Sequence, residues 1–229
     1  EIPEGSRISK GQAIINFVQL EAREQVSTIL PLGKEQAAYL LMATKNGTVK
    51  KTPVGEFANI RGRGIIAIKL EKSDALLWVK STNGDNKILL ISKLGKAIRF
   101  SEKGIRPLGR ATMGVHGVKL AKDDELVGME VVGNEGTNKR EFDDILVVTE
   151  KGLGKRTSIN LFPLQKRAGK GVKVAAISPK SGPIQTAILI NEETGQVILN
   201  SRMGQVVKLP IRDIPRLSRV TQGVILMRF

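Results

Sequence analysis

LLMATKNGTVKKT, residues 40–52, is the first of four similar segments in the chain. Each segment has an apolar run, a Thr or Ser, two further residues and then a glycine. The other three are ILLISKLGKAIRF (88–100), ILVVTEKGLGKRT (145–157) and VILNSRMGQVVKL (197–209). Because the pattern returns about every fifty residues, it indicates a repeat architecture.

Further residues keep a fixed distance from these turn glycines. The turn glycines are Gly47, Gly95, Gly152 and Gly204. A base stands four residues after each, namely Lys51, Arg99, Arg156 and Lys208. A large apolar residue stands ten residues after each, namely Phe57, Ile105, Phe162 and Ile214. A second glycine opens another apolar run in every copy, at Gly64, Gly114, Gly171 and Gly223.

The local pattern predicts an all-β fold. Runs such as ILLI and ILVV are short, rich in β-formers and end at turn residues, so we expect strands joined by tight hairpins. The turn glycine supplies the positive φ that such a hairpin needs. A third strand is expected after the second glycine. A fourth is expected ahead of each hairpin, in QVSTILPL, DALLWVKST, DELVGMEVV and PIQTAILI.

The predicted architecture is one propeller-like domain, 1–229, made of four-stranded antiparallel blades. Radial repetition of such blades leaves only short sheet edges exposed. The predicted units cover 24–70, 75–120, 125–177 and 183–229. GSRISKGQAIINF, residues 5–17, matches only the second half of a unit, so residues 1–20 are expected to be a partial one. The chain is therefore expected to hold four and a half to five blades of a larger ring.

Composition excludes several classes of protein. The chain has no cysteine and one histidine, His116, which argues against a disulfide framework, a thiolate metal site and a histidine-based zinc site. No apolar run reaches the roughly 18–20 residues of a membrane span. The net charge of +15 favours a polyanionic partner, most simply nucleic acid.

The positive charge is confined to two places in every unit. The five residues from each turn glycine hold +7 in total, and the stretches before each second glycine hold +11. The other 175 residues have a net charge of −3. Stacked around an axis, the units would bring these bases together as a basic rim. Ordinary polar hairpin loops are the alternative, but five repetitions favour the rim.

A basic rim of this kind suits the regularly spaced phosphates of duplex nucleic acid. Aromatic residues are only 3 % of the chain, and single-strand binders need aromatic platforms. Tyr39, Trp78, Phe57 and Phe162 are expected in the core. The predicted phosphate contacts are Arg7, Lys10, Lys50, Lys51, Arg61, Arg63, Lys96, Arg99, Arg106, Arg110, Lys155, Arg156, Lys166, Arg167, Lys170, Lys208, Arg216 and Arg219.

The sequence contains no recognisable catalytic constellation. RGRG (61–64) and GLG (152–154) are expected to be turns, because no helix follows them. The pairs Asp123–Asp124 and Asp143–Asp144 are expected to be solvated loop carboxylates rather than metal ligands, and His116 a loop residue. A protein-binding propeller that uses the faces of its disc, and an enzyme, are the less favoured alternatives.

Several segments resemble one known family closely. EIPEGSR, MATKNGTVKKT, GKAIRF, GLGKRT and TQGVILMR are similar to the C-terminal domain of the bacterial DNA gyrase A subunit. The resemblance covers essentially the whole chain, and the corresponding domain of topoisomerase IV is a more divergent relative. It implies a β-pinwheel, whose neighbouring blades exchange strands, with duplex DNA wrapped around the basic perimeter to support negative supercoiling. Binding of DNA for substrate selection, as in topoisomerase IV, is the alternative.

The same resemblance implies a non-catalytic part of an ATP-dependent topoisomerase of the bacterial cytoplasm and nucleoid. Its partners would be duplex DNA, the remainder of the gyrase A subunit, and the gyrase B subunit, with no membrane partner. No cofactor is expected in this domain, since ATP and magnesium act elsewhere in the enzyme. Tyr39 does not match the catalytic tyrosine of the family, and no metal ligand is expected.

One family motif is expected to be missing. The first of the family's six blades carries the box QRRGGKG, and this chain resembles the family only from after that point. QKRAGKG, residues 165–171, matches the box at five of seven positions but stands in the order of the fifth blade. It is either a relative of the box that arose from the repeat or a place of stronger DNA contact.

Overall fold

The computed structural model describes residues 6, 8, 10–20, 24–31, 38–59, 64–133, 144–191 and 193–228. Within them the chain forms β-strands and short 3-10 turns but no α-helix. The prediction of an all-β fold with four-stranded antiparallel sheets is confirmed. The 3-10 turns are Ile14–Asn16, Val54–Phe57, Glu102–Gly104, Ile159–Leu161 and Ile211–Asp213.

Each of the four repeated segments is a β-hairpin. The hairpins are β1 (Tyr39–Thr44) with β2 (Thr48–Pro53), β4 (Lys87–Ser92) with β5 (Lys96–Ser101), β8 (Asp144–Thr149) with β9 (Leu153–Ser158), and β13 (Gln196–Asn200) with β14 (Val206–Pro210). The turn glycines have φ between 74° and 86°, as expected. The remaining strands are β3 (Leu76–Thr82), β6 (Val115–His116), β7 (Leu126–Val132), β10 (Leu164–Gln165), β11 (Val172–Lys173), β12 (Ile184–Ile190) and β15 (Val224–Ile225).

The strands of one sheet come from two successive repeat units. The sheet orders are β3-β1-β2-β6, β7-β4-β5 with both β10 and β11 on β5, and β12-β8-β9-β15, while β13 pairs with β14. The strand ahead of each hairpin therefore pairs with the hairpin before it. This corrects the prediction that one unit forms one blade. Residues 25–31, the described part of the predicted strand QVSTILPL, form no strand.

In three units the second glycine allows two backbones to come very close. A Cβ atom built on Gly114 would lie 2.4 Å from the carbonyl oxygen of Val49, and one on Gly171 would lie 2.4 Å from that of Ala97. At Gly223 the corresponding distance, to Gly154, is 2.5 Å. Since no side chain fits in such a gap, glycine is required where the exchanged strand joins the preceding hairpin.

The apolar core lies between successive hairpins. Leu41 and Val49 pack with Ile88 and Ile98, and Leu89 of the second hairpin packs with residues of the third. A third cluster joins the third hairpin to the fourth. Three of the apolar residues ten positions after a turn glycine are fully buried, namely Ile105, Phe162 and Ile214. The predicted core position is therefore confirmed for Phe162, whereas Phe57 is only half-buried.

Candidate nucleic-acid interface

Most bases in the middle of the second strand of the first three hairpins point into the protein. We call the residues three and four positions after a turn glycine the hairpin bases where they are basic. Four of them, Lys50, Lys51, Arg99 and Lys155, are at most 5 % exposed. Arg156 is half-buried, and Lys208 of the fourth hairpin is exposed.

Two of these buried lysines hold backbone carbonyl groups of the next repeat. Lys155 Nζ donates to the carbonyl oxygens of Ser218 (2.6 Å) and Arg219 (3.1 Å). Lys50 Nζ donates to the carbonyl oxygen of Arg110, and also to that of Thr112 at 3.2 Å. Burial lowers the pKa of Lys155 to about 8, with a further contribution from the charge of Arg219. Burial, then the Arg110 charge, likewise lowers the pKa of Lys50.

Lys51, the base four positions after Gly47, contacts the buried turn of the next repeat. Its Nζ donates to the carbonyl oxygen of Glu102 (2.9 Å) and lies 3.9 Å from the Glu102 carboxylate. The ammonium also lies 5.0 Å from the centre of the Tyr39 ring. Lys51 therefore joins the first sheet to the second.

The equivalent arginines of the second and third hairpins make the same kind of contact. Arg99 Nη1 donates to the carbonyl oxygen of Phe162 at 3.3 Å. Arg156 Nε donates to the carbonyl oxygen of Ile214 at 2.7 Å. Both acceptors are the buried apolar residues ten positions after a turn glycine. These bases therefore connect neighbouring repeats.

The burial corrects the sequence prediction at four positions. Lys50, Lys51, Arg99 and Lys155 were expected to contact phosphate, but their charged groups are enclosed and bound to protein acceptors. All four central residues of β2 and of β5 are buried. We therefore leave these four bases out of the candidate interface.

Most described bases of the second predicted group lie on three segments that we call the arginine loops, 105–114, 162–171 and 214–223. Each loop follows the outer edge of the second strand of the preceding hairpin. Leu108 N donates to the carbonyl oxygen of Lys51 (2.8 Å), and Leu217 N donates to that of Arg156 (2.8 Å). Pro107 and Arg216 form parallel bridges with Lys51 and Arg156 in the first and third loops. In the middle loop β10 likewise pairs in parallel with β5. Strand pairing thus places the loops at the sheet edges.

The arginine loops are also tied to the segments that follow the preceding second glycine. Lys119 N donates to the carbonyl oxygen of Gly169 (2.9 Å), and Ala176 N donates to that of Thr221 (3.2 Å). The side chains repeat this link. Arg167 Nη1 donates to the carbonyl oxygen of His116 (3.0 Å) and Arg219 Nη1 to that of Lys173 (3.0 Å). The three loops therefore follow one another in a connected series.

Four exposed bases among the predicted contacts lie on these loops, namely Arg106, Lys166, Lys170 and Arg216. Of the predicted contacts, the exposed ones are Lys10, Lys96, Arg106, Lys166, Lys170, Lys208 and Arg216. The half-buried ones are Arg110, Arg156, Arg167 and Arg219. Arg7, Arg61 and Arg63 lie outside the described residues.

A buried carboxylate neutralises part of the charge at the third loop. Asp144 is 4 % exposed, and its Oδ1 accepts from Arg216 Nε at 2.7 Å. Its Oδ2 lies 3.5 Å from Arg156 Nη1. The prediction of a solvated loop carboxylate is therefore wrong here, because Asp144 begins β8 beneath two arginines. Arg216 and Arg156 are consequently less available to an external anion than Lys166 or Lys170.

The remaining acidic residues and the histidine singled out in the sequence form no site of their own among the described residues. Asp124 accepts hydrogen bonds from Ser92 Oγ (2.7 Å) and Leu94 N (2.9 Å), which caps the turn of the second hairpin. His116 is exposed, and Asp143 lies outside the described residues. In the described part of the chain, no three His, Cys, Asp or Glu residues are arranged to hold a metal ion. None of its helices is long and apolar enough to cross a membrane.

The fold and the loops together define a class of protein: a repeat-built β-propeller module with strands exchanged between neighbouring sheets and arginine loops along their edges. The chain belongs to the DNA gyrase C-terminal domain, beta-propeller family, whose model matches residues 1–32, 38–83, 86–133, 143–191 and 198–229.

The curated relatives that match this chain are named as A subunits of DNA gyrase. The chain is 38 % identical over 229 residues to the DNA gyrase A subunit of Salmonella typhimurium and 39 % identical over 231 residues to that of Staphylococcus epidermidis. All of this chain is aligned, but it spans only 25 % of the length of each relative.

Two solved structures are similar in fold. A DNA gyrase A C-terminal domain has a TM-score of 0.83 at 26 % identity, and the match covers 96 % of this chain and 72 % of that one. The C-terminal domain of DNA topoisomerase IV has a TM-score of 0.85 at 24 % identity, over 95 % of this chain and 66 % of that one. The second likeness concerns the fold alone.

Proposed function

We propose that the chain binds duplex DNA through the arginine loops and wraps it around their outer edge, as the non-catalytic DNA-wrapping part of a bacterial gyrase. The observation that carries this is the connected series of three loops on three successive sheets. Each places a half-buried arginine, Arg110, Arg167 or Arg219, at the same repeat position. A regular series of cations matches the regular spacing of backbone phosphates.

The way the arginines are held suits phosphate binding. Arg167 uses Nε and Nη1 on the carbonyl oxygens of Gly104 and His116, which fixes the plane of its guanidinium. A guanidinium has five N–H donors, so three remain for an anion. Lys166 and Lys170 stand exposed on the same loop. Contacts of this kind go to phosphate, so we expect little preference for base sequence.

The remaining assignments follow from the relatives. Those proteins are named as the A subunit of DNA gyrase. We propose that this chain acts with the remainder of such a polypeptide and with the gyrase B subunit in the bacterial cytoplasm and nucleoid. DNA cleavage and ATP use would belong to those parts, and this domain would need no cofactor. The relatives favour gyrase over the alternative of topoisomerase IV, whose likeness here is one of fold.

A ligation experiment on nicked circular DNA tests the wrapping. If the loops wrap duplex, sealing the nick with the chain bound should shift the linking number of the circles in proportion to the protein added. Bending duplex costs roughly 1–6 kcal/mol for a short site, so several phosphate contacts must form together. The shift should disappear at high salt, because each neutralised phosphate contributes about −0.9 to the slope of log K against log[salt].

The outcomes separate binding from wrapping. Tight, salt-dependent binding to linear duplex with no change of linking number would keep the loops as a DNA site but contradict wrapping. Binding that is independent of salt would contradict the phosphate contacts themselves. An Arg167→Ala variant, which loses one central contact, should weaken both signals without changing any preference for sequence.

A further inference from the structure

Two of the three arginine loops share an internal support that the middle one lacks. Lys50 lies beneath the first loop and Lys155 beneath the third, each three positions after its turn glycine. The same position in the second hairpin is Ile98, which is fully buried under the loop 162–171. At this one repeat position, the first and third hairpins therefore carry a buried ammonium, and the second hairpin carries a buried alkyl group.

Two of the lysine contacts fall at the same repeat positions in both loops, while Lys50 also donates to the carbonyl oxygen of Ala67 and Lys155 to that of Ser218. The carbonyl oxygen of the arginine four positions before the second glycine, Arg110 or Arg219, accepts from the ammonium. A threonine two positions before that glycine also takes part. Thr112 accepts through its carbonyl oxygen at 3.2 Å, and Thr221 through Oγ1 at 3.2 Å.

The threonine changes together with the lysine. Thr112 Oγ1 donates to the carbonyl oxygen of Gly109 (2.8 Å), and Thr221 Oγ1 donates to that of Ser218 (3.0 Å), so both loops turn around the hydroxyl. In the middle loop the equivalent residue is Gly169, whose backbone approaches Ile98: a Cβ placed there would lie 3.4 Å from Ile98 Cδ1. A repeat with lysine three positions after the turn glycine thus has threonine in the facing loop, and the repeat with isoleucine there has glycine in its loop.

We propose that Lys50 and Lys155 are positioning residues that set the direction in which Arg110 and Arg219 present their side chains to DNA. The proposal rests on the proposed function. An ammonium bound to the carbonyl oxygen of the arginine fixes the backbone from which that side chain leaves. The middle loop reaches a similar course through close packing on Ile98 and the two carbonyl contacts of Arg167, and so needs no lysine.

The electrostatics make this role specific. The charges of Arg110 and Arg219 help to lower the pKa values of Lys50 and Lys155, so each ammonium lies near the guanidinium above it. Enclosing two like charges together is unfavourable by itself. A bound phosphate outside the loop would offset that repulsion, which couples the internal lysine to the external anion.

A double-mutant cycle on the 229-residue chain tests the proposal. Lys155→Met keeps the alkyl stem but removes the donor, and Arg219→Ala removes the external contact. We expect each to weaken binding to linear duplex by about fivefold, a typical loss for one charge-assisted contact in partly screened surroundings. The double variant should be no weaker than Arg219→Ala, because Lys155 acts through that arginine.

The matched control pairs Lys155→Met with Arg167→Ala in the middle loop, where the two losses should multiply. The proposal would be overturned if the losses of affinity multiplied in the Lys155→Met, Arg219→Ala pair just as they do in the Lys155→Met, Arg167→Ala pair. Lys155 would then act only through its charge and not through Arg219. Wild-type affinity for a folded Lys155→Met variant would overturn it as well. Where Lys155→Met does not fold, Lys50→Met with Arg110→Ala gives the same cycle in the first loop. A failure of the proposed function differs from these results, because Arg219→Ala and Arg167→Ala would then leave binding unchanged.

Discussion

Replacing Glu102 by alanine is expected to lower the free energy of unfolding by about 3–5 kcal/mol, the cost of removing one partner from a buried ion pair. Glu102 is fully buried. Its carboxylate accepts from Thr82 Oγ1 (2.8 Å) and from the backbone N–H of Asn86 (2.7 Å), and it lies 3.9 Å from Lys51 Nζ. Alanine would leave the Lys51 ammonium enclosed without a counter-charge at the junction of two sheets.

Urea unfolding followed by circular dichroism measures this loss. Asp85→Ala is the matched control, because it also removes a carboxylate partner of a lysine, Lys103, but in an ion pair whose side chains are 69 % and 49 % exposed. Exposed pairs of this kind contribute about 0–1 kcal/mol. Equal losses in the two variants would contradict the buried role of Glu102.

Replacing Gly171 by alanine is expected to cost more than about 3 kcal/mol, because two penalties add. The φ of 66° is strained for a residue with a side chain, and the new Cβ would lie 2.4 Å from the carbonyl oxygen of Ala97. The backbones would have to separate, which breaks the pairing of β11 with β5. The exchange of strands between neighbouring repeats depends on this contact.

Gly64→Ala provides the control for Gly171→Ala. Gly64 holds the same repeat position with a φ of 73°, but nothing lies within 4 Å of its Cβ position. Thermal unfolding should therefore show only the backbone penalty at Gly64, roughly 1 kcal/mol, and a much larger loss at Gly171. Comparable losses at the two sites would show that the close approach to Ala97 is unimportant.

The sequence contained the hairpins and the position of every turn glycine, because local backbone geometry dictates both. The repeat pattern alone did not indicate the pairing between hairpins, and the exchange of strands was expected only from the family resemblance. A period of fifty residues gives the phase of the repeat but does not say whether Leu76–Thr82 pairs forward or backward along the chain. The second glycine carried the missing signal: Gly114, Gly171 and Gly223 are needed for close approach to another strand, not only for a turn.

The site was predicted in part. The distribution of positive charge along the sequence indicated both groups of bases. It could not distinguish a lysine that binds protein carbonyl groups from one whose ammonium is exposed and able to bind an anion. Lys50 and Lys51 are neighbours in β2 and are both enclosed, because neighbouring elements cover both faces of the strand. The change from lysine with threonine to isoleucine with glycine, at Ile98 and Gly169, was a signal in the sequence that could have indicated an internal role.

The central claim is that the arginine loops, and not exposed lysines in general, form the DNA site. The most direct test compares the salt dependence of duplex binding in two variants that lose the same charge. One carries Lys166→Gln and Lys170→Gln in the middle loop, and the other carries Lys72→Gln and Lys122→Gln, two exposed lysines in the turns before β3 and β7. The loop variant should make the negative slope of log K against log[salt] shallower by roughly 1.8, while the other variant leaves it unchanged; equal changes in both would contradict the account.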